Sequence, residues 1–160
     1  MPEHRTLNFD GLDGVMPEVE RLLAAHETIG RWTLGQILYH LAVAVRLSME
    51  GKPNAEPVDG RDPLRAHRRL FFRAGRFPEN THPPLAILIP PDSCDPNEQA
   101  EALREAIRRF ENGDGPFASH PMLGAMSKTE WAKFHGLHCA HHLGFVVSRP
   151  IADGLSSDVS

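Results

Sequence analysis

The stretch Ser127–Leu143 reads SKTEWAKFHGLHCAHHL, and its pattern decides the fold. Ser127 and Glu130 have capping-box spacing, in which each side chain satisfies a free backbone N–H at a helix start. A helix is therefore expected from Lys128 to about Val147, with Pro150 limiting its extension. Successive residues on a helix turn by about 100°, so Trp131, Phe134, His142 and Phe145 all fall within about 40° of His138. Two histidines one turn apart thus lie within an aromatic stripe that faces a core. Spacing of i to i+4 on one face is how a helix offers two imidazoles to one metal ion. Periodicity alone leaves other pairs open, because His135 and His141 sit about 60° to either side of His138. Cys139 points about 100° away from His138 and reads as a small core residue.

Working outward, Thr33 and Gln36 repeat the capping box. They predict a helix beginning at Leu34, with Ile37, Leu41, Ala44 and Leu47 on one apolar arc and Gly51, Pro53 and Pro57 ending it. His40 lies inside that arc. A single histidine on an apolar face is more often a hydrogen-bonded core residue than a ligand. Two buried imidazoles in a Trp/Phe stripe are costlier without a partner, and exposure of that stripe at a dimer interface competes with the metal reading.

The remaining chain is also helical in pattern. Met16, Val19, Leu22, Leu23 and His26 predict a first helix from about Gly11 to Glu27, stopped by Gly30. Asp62-Pro63 opens a short helix with Leu64, Leu70 and Phe71 facing inward. Gly75 to Pro96 reads as an extended crossover, in which Leu85 to Ile89 forms a strand-like stretch or covers the core. Asp95-Pro96-Asn97-Glu98 starts a helix with Leu103, Ile107 and Phe110 on one face, ended by Gly113 and Gly115. The fold class is all-α, with four principal helices, one minor helix and one long crossover, compatible with a four-helix bundle. Residues 1–150 form one domain, and the polar end of the chain to Ser160 is a frayed tail.

Composition narrows the function. The chain has 160 residues, 41% of them hydrophobic and 24% charged, which is globular rather than disordered. A net charge of -4 argues against a nucleic-acid partner. The local run Arg61, Arg65, Arg68, Arg69, Arg73 and Arg76 reads as the solvated side of a helix. Two cysteines, Cys94 and Cys139, without a CxxC pair suit a reducing compartment. There is no apolar leader and no run of the roughly 20 apolar residues a membrane helix needs, so a cytoplasmic protein is expected. HExxH, GxSxG, P-loop and GxGxxG motifs are absent. Ten histidines remain as the unusual feature. Neutral imidazole suits a divalent transition metal, zinc or nickel ahead of iron or manganese, and does not suit calcium or magnesium. Three protein ligands leave positions open, as catalytic sites do. His120-Pro121, before the last helix, places an imidazole near the mouth of the bundle or shapes a turn.

The run His120-Pro121-Met122-Leu123-Gly124, then Ser127, Glu130-Trp131, His138 and His141-His142-Leu143, resembles the closing motif of a DinB-like subfamily of unknown function. Trp32-Thr33, Gln36 and His40-Leu41-Ala42 resemble its second-helix pattern. Arg5-Thr6-Leu7-Asn8-Phe9 and Pro90-Pro91 are similar as well, so the resemblance spans nearly the whole chain. The wider DinB/YfiT-like superfamily implies a four-helix bundle with an up-down-down-up path. It also implies a metal triad of one histidine in the second helix and an HxxxH pair in the last, which falls here on His40, His138 and His142. Superfamily members include thiol-dependent S-transferases and an isomerase, often dimeric. The resemblance therefore implies a small-molecule substrate such as a low-molecular-weight thiol and a homodimer; the open metal positions point to a metal-dependent transferase or hydrolase, with His120 at the mouth as a helper. A non-catalytic metal-binding or stress-associated interaction protein is the alternative, because fold kinship does not transfer function.

Overall fold

The computed structural model describes residues 3–51, 61–78 and 83–149. Among these the chain is mostly helical, with five α-helices and one small two-stranded sheet. In order they are α1 (Val15–Ala24), β1 (His26–Thr28), α2 (Leu34–Glu50), α3 (Arg65–Ala74), a 3₁₀ turn (Ala86–Leu88), α4 (Pro96–Asn112), α5 (Lys128–Leu143) and β2 (Val146–Ser148).

The starts of α2, α4 and α5 lie where cap chemistry puts them, whereas α3 begins at Arg65, past Asp62-Pro63, with no side-chain cap. Thr33 Oγ1 accepts from Gln36 N at 3.2 Å, and Gln36 Oε1 accepts from Thr33 N at 2.9 Å. Ser127 and Glu130 make the same reciprocal pair, both bonds at 3.2 Å. Asp95 Oδ1 accepts from Asn97 N and Glu98 N, with Pro96 in the first turn. α2 packs most extensively on α4 and also on α5, while α1 lies against α4, α5 and β2. Leu22, Leu38, Leu41, Leu103, Phe110 and Leu143 are fully buried where these helices meet. Each such side chain contributes on the order of 2 kcal/mol through burial. At Gly35 the backbone of Cys94 passes so close that a Cβ would collide with its carbonyl oxygen. Beside it, Gln36 Nε2 donates to Pro91 O at 2.9 Å, so the crossover is tied to the start of α2.

Several expectations are corrected. α1 ends at Ala24 and α5 at Leu143, because His26–Thr28 and Val146–Ser148 leave the helices and pair antiparallel, His26 opposite Ser148. Phe145 therefore leaves the helical stripe, and its carbonyl accepts from Ile29 N at 2.9 Å. In α3, Leu70 is 62% exposed and Arg68 is buried instead. Its guanidinium reaches Asp62, Glu130 and the Leu123 carbonyl, so Arg68 does not belong to a solvated face. The other arginines of that run are exposed. Leu85 to Ile89 holds a 3₁₀ turn rather than a strand, with Leu88 buried and Leu85, Ile87 and Ile89 exposed. Pro53, Pro57, Pro150 and residues 151–160, to which helix stops and a frayed tail were assigned, lie outside the described residues. No helix among the described residues is long and apolar enough to cross a membrane.

Candidate metal centre

α2 carries His40 on its core face, and α5 carries His138 and His142 on the face opposite. Their packing brings the three imidazoles together, with one ring nitrogen from each lying within 4.8 Å of the others. His40 and His138 are buried, and His142 is half-buried. Ring centroids are 4.5 to 4.8 Å apart and the rings meet edge to face. The nitrogens therefore converge on one point instead of stacking.

His40 has a fixed tautomer. Its Nδ1 lies 2.7 Å from the carbonyl oxygen of Leu88, and a carbonyl can only accept, so Nδ1 carries the proton. The lone pair is then on Nε2, which faces His138 Nε2 at 2.9 Å. A backbone carbonyl holding the far nitrogen of a ligand histidine is a recurrent way of orienting the ring at a metal. Burial pushes the pKa of all three imidazoles below the usual 6.5, and the neighbouring imidazoles push the same way. They are neutral near pH 7, the state that ligates.

Aromatic rings surround the cluster. Trp32, just before α2, lies 4.9 Å from His40 and stacks on His142 with 20° between planes. Phe77 stacks on His138 at 4.8 Å, and Phe134 lies 5.5 Å from the same ring. Low polarity of this kind strengthens any charge–ligand interaction inside it.

His135 and His120 lie outside the cluster, and His141 lies beside it. His135 is fully buried, and its Nε2 donates to Ser48 Oγ at 3.0 Å while that hydroxyl donates to Val45 O. Its Nδ1 finds no partner among the described residues, and burial lowers its pKa to about 3. His141 is half-buried, 5.0 Å ring to ring from His142, and its carbonyl oxygen accepts from His4 Nε2. His120 shapes a turn. Its Nδ1 accepts from Met122 N at 3.0 Å and Leu123 N at 3.1 Å, and burial lowers its pKa to about 4. Its ring lies 4.8 Å from Phe134, which also touches His138. Cys139 is buried, its thiol pushed up to about 12. Leu88 and Phe77 were not singled out in the sequence. Both sit between α3 and α4, where no periodicity points to a site.

A family model described as a protein of unknown function (DUF1569) matches residues 1–149. No curated protein and no solved structure matches the chain.

Proposed function

Because the chain belongs to the DUF1569 family of proteins of unknown function, we propose its role from its own site: it is a divalent-metal protein that acts on a small molecule. His40, His138 and His142 are the ligands in this reading, within a DinB/YfiT-like four-helix bundle made by α1, α2, α4 and α5. The observation that carries it is the convergence of three neutral imidazole nitrogens within 4.8 Å in an aromatic surrounding. Burying three imidazoles side by side costs polar desolvation, which a shared cation would offset. The all-nitrogen donor set fits zinc or nickel first, with iron or manganese behind, and does not fit calcium or magnesium.

When bound, such a metal would act as a Lewis acid and lower the pKa of a water or thiol reaching it. The chain's own residues do the rest. Leu88 O holds His40 in the ligating tautomer, and Trp32 and Phe77 exclude water around the rings. His142, half-buried, leaves the cluster reachable from solvent, which favours chemistry over storage. Transfer of a low-molecular-weight thiol or hydrolysis is the proposed reaction class, with His120 a helper acting from its turn. A reducing, cytoplasmic setting suits the two free cysteines, and neither nucleic acid nor membrane is a proposed partner. A homodimer belongs to the same reading.

A second reading rests on Leu85, Ile87 and Ile89, exposed apolar side chains on the turn whose Leu88 carbonyl holds His40. In it the protein binds metal and a partner without turnover. Elemental analysis of untagged protein, purified without chelators, tests the common core of both. About one metal per chain is expected, and His40→Ala, His138→Ala and His142→Ala should each lose it. Metal content unchanged in all three variants would refute the site.

A further inference from the structure

Phe77 is the ring lying flattest on His138, with 29° between planes, and it also lies 5.5 Å from His141. It follows α3, and Gly75, with φ 66°, turns the chain so that Phe77 returns edge-on to Phe71 at 5.6 Å. Phe71 in turn lies 5.3 Å from Phe72 and 5.7 Å from Phe134 of α5. Phe71, Phe72 and Phe77 are half-buried, so α3 and the residues after it form an outer aromatic layer over the middle of α5.

α3 fully buries no apolar side chain, Phe71 and Phe72 being half-buried. Its single buried residue is Arg68, and Leu70 points outward. Arg68 adds a hold through charge. Its Nη2 donates to Asp62 at 2.6 Å, its Nη1 to Leu123 O at 2.9 Å and its Nε to Glu130 Oε2 at 3.2 Å. Glu130 is the capping residue of α5, where its other oxygen accepts from Ser127 N. One carboxylate thus fixes both the start of α5 and the position of α3. A planar guanidinium with donors on three sides suits this branch point, and an ammonium does not. Glu130 and His138 are eight residues apart, about 12 Å along the helix. The segment is therefore attached to α5 by charge at Glu130 and by ring contacts at Phe134 and His138.

We propose that Arg68 is a positioning residue that, by fixing α3 on Glu130 and Leu123, holds Phe77 as a cover over His138 and so controls how fast solutes reach His138. The functional meaning of this cover rests on the triad being the working site, as proposed above, but the cover itself can be tested without metal.

The probe is diethyl pyrocarbonate, which modifies neutral accessible imidazoles, applied to the full chain after chelator treatment. Site-resolved mass spectrometry gives the labelling rate of His138 relative to His26, which sits in β1. Phe77→Ala and Arg68→Met should each raise that ratio by about tenfold, because local opening sets access to a buried group. The double variant should be no faster than Phe77→Ala, since both changes act through one cover. Arg68→Lys should fall between Arg68→Met and wild type. A lowered Tm in Arg68→Met with a wild-type ratio would make Arg68 merely structural and overturn the proposal. An unchanged ratio in Phe77→Ala, which removes no ion pair, would overturn it even if the Arg68 variants fail to fold. A raised ratio in a protein that binds no metal would keep the cover and reject the proposed function.

Discussion

His40 and His138 face each other through their Nε2 atoms at 2.9 Å, and Leu88 O decides the proton between them. With Nδ1 of His40 donating to that carbonyl, His40 Nε2 can only accept, so in the metal-free protein His138 donates. One added proton on His40 would set two N–H groups head to head in a buried site. The pair is thus built to resist protonation, and a divalent metal would take the Nε2 lone pair of His40 directly and that of His138 once its proton has left Nε2.

Metal affinity should therefore hold constant down to about pH 6.5 and fall below it. Protonated imidazole does not ligate, and burial has already pushed His40, His138 and His142 below 6.5. An exposed histidine cluster would lose affinity from 6.5 upward as well. Competition of cobalt(II) binding against a chromophoric chelator from pH 5 to pH 8 would show the difference. A decline already under way well above pH 6.5 contradicts the buried geometry.

The metal-free protein should lose stability as pH falls, with His120 and His135 adding to the effect of the three. His120 and His135 have folded pKa values of about 4 and about 3, depressed by burial. Between those values and 6.5 the unfolded chain binds protons that the folded chain refuses, so stability rises with pH across that window and is lost on acidification. His120 alone accounts for an order of 3 kcal/mol between pH 6.5 and 4. His120→Asn keeps an acceptor for Met122 N and Leu123 N but does not titrate. Urea midpoints at pH 7 and pH 4.5 should therefore differ less in His120→Asn than in wild type.

Thr33→Ala and Ser127→Ala should each cost about 1 kcal/mol, the usual worth of an N-cap side chain. Glu130→Ala should cost more than Ser127→Ala, because it removes both the cap return and the Arg68 ion pair. Equal losses in chemical denaturation would mean that the Arg68–Glu130 contact contributes nothing.

What the sequence disclosed follows from the range of each interaction. Capping boxes act over three residues, so the starts of α2 and α5 were readable at Thr33 and Ser127. Helical periodicity placed His40 on one core face and His138 with His142 on another. The ends were not readable in the same way. β1 and β2 pair residues about 120 positions apart, and nothing local in His26–Thr28 announces Val146–Ser148. Arg68 looked solvated because its arginine neighbours are, and only the fold brings Glu130 and Leu123 O to it. Leu88 acts through a backbone carbonyl, which no side-chain pattern reveals.

Any turnover found should depend on the histidines and not on the cysteines. A cysteine nucleophile must be a thiolate near neutral pH and must be reachable. Cys139 is neither, being buried among apolar residues with its thiol pushed up to about 12. Cys94 is only partly covered, but burial raises its thiol too, and its sulfur lies 3.9 Å from Pro91 O. Cys94→Ser should therefore leave activity intact. Cys139→Ser should also retain it, while losing about 1–2 kcal/mol of stability because a hydroxyl enters an apolar site. His138→Ala should abolish activity together with metal content. The measurement is adduct formation between a reactive electrophile and a set of cellular thiols, followed by mass spectrometry with and without chelator. Activity that persists in chelator and disappears in Cys139→Ser would transfer the chemistry from the histidine cluster to the thiol.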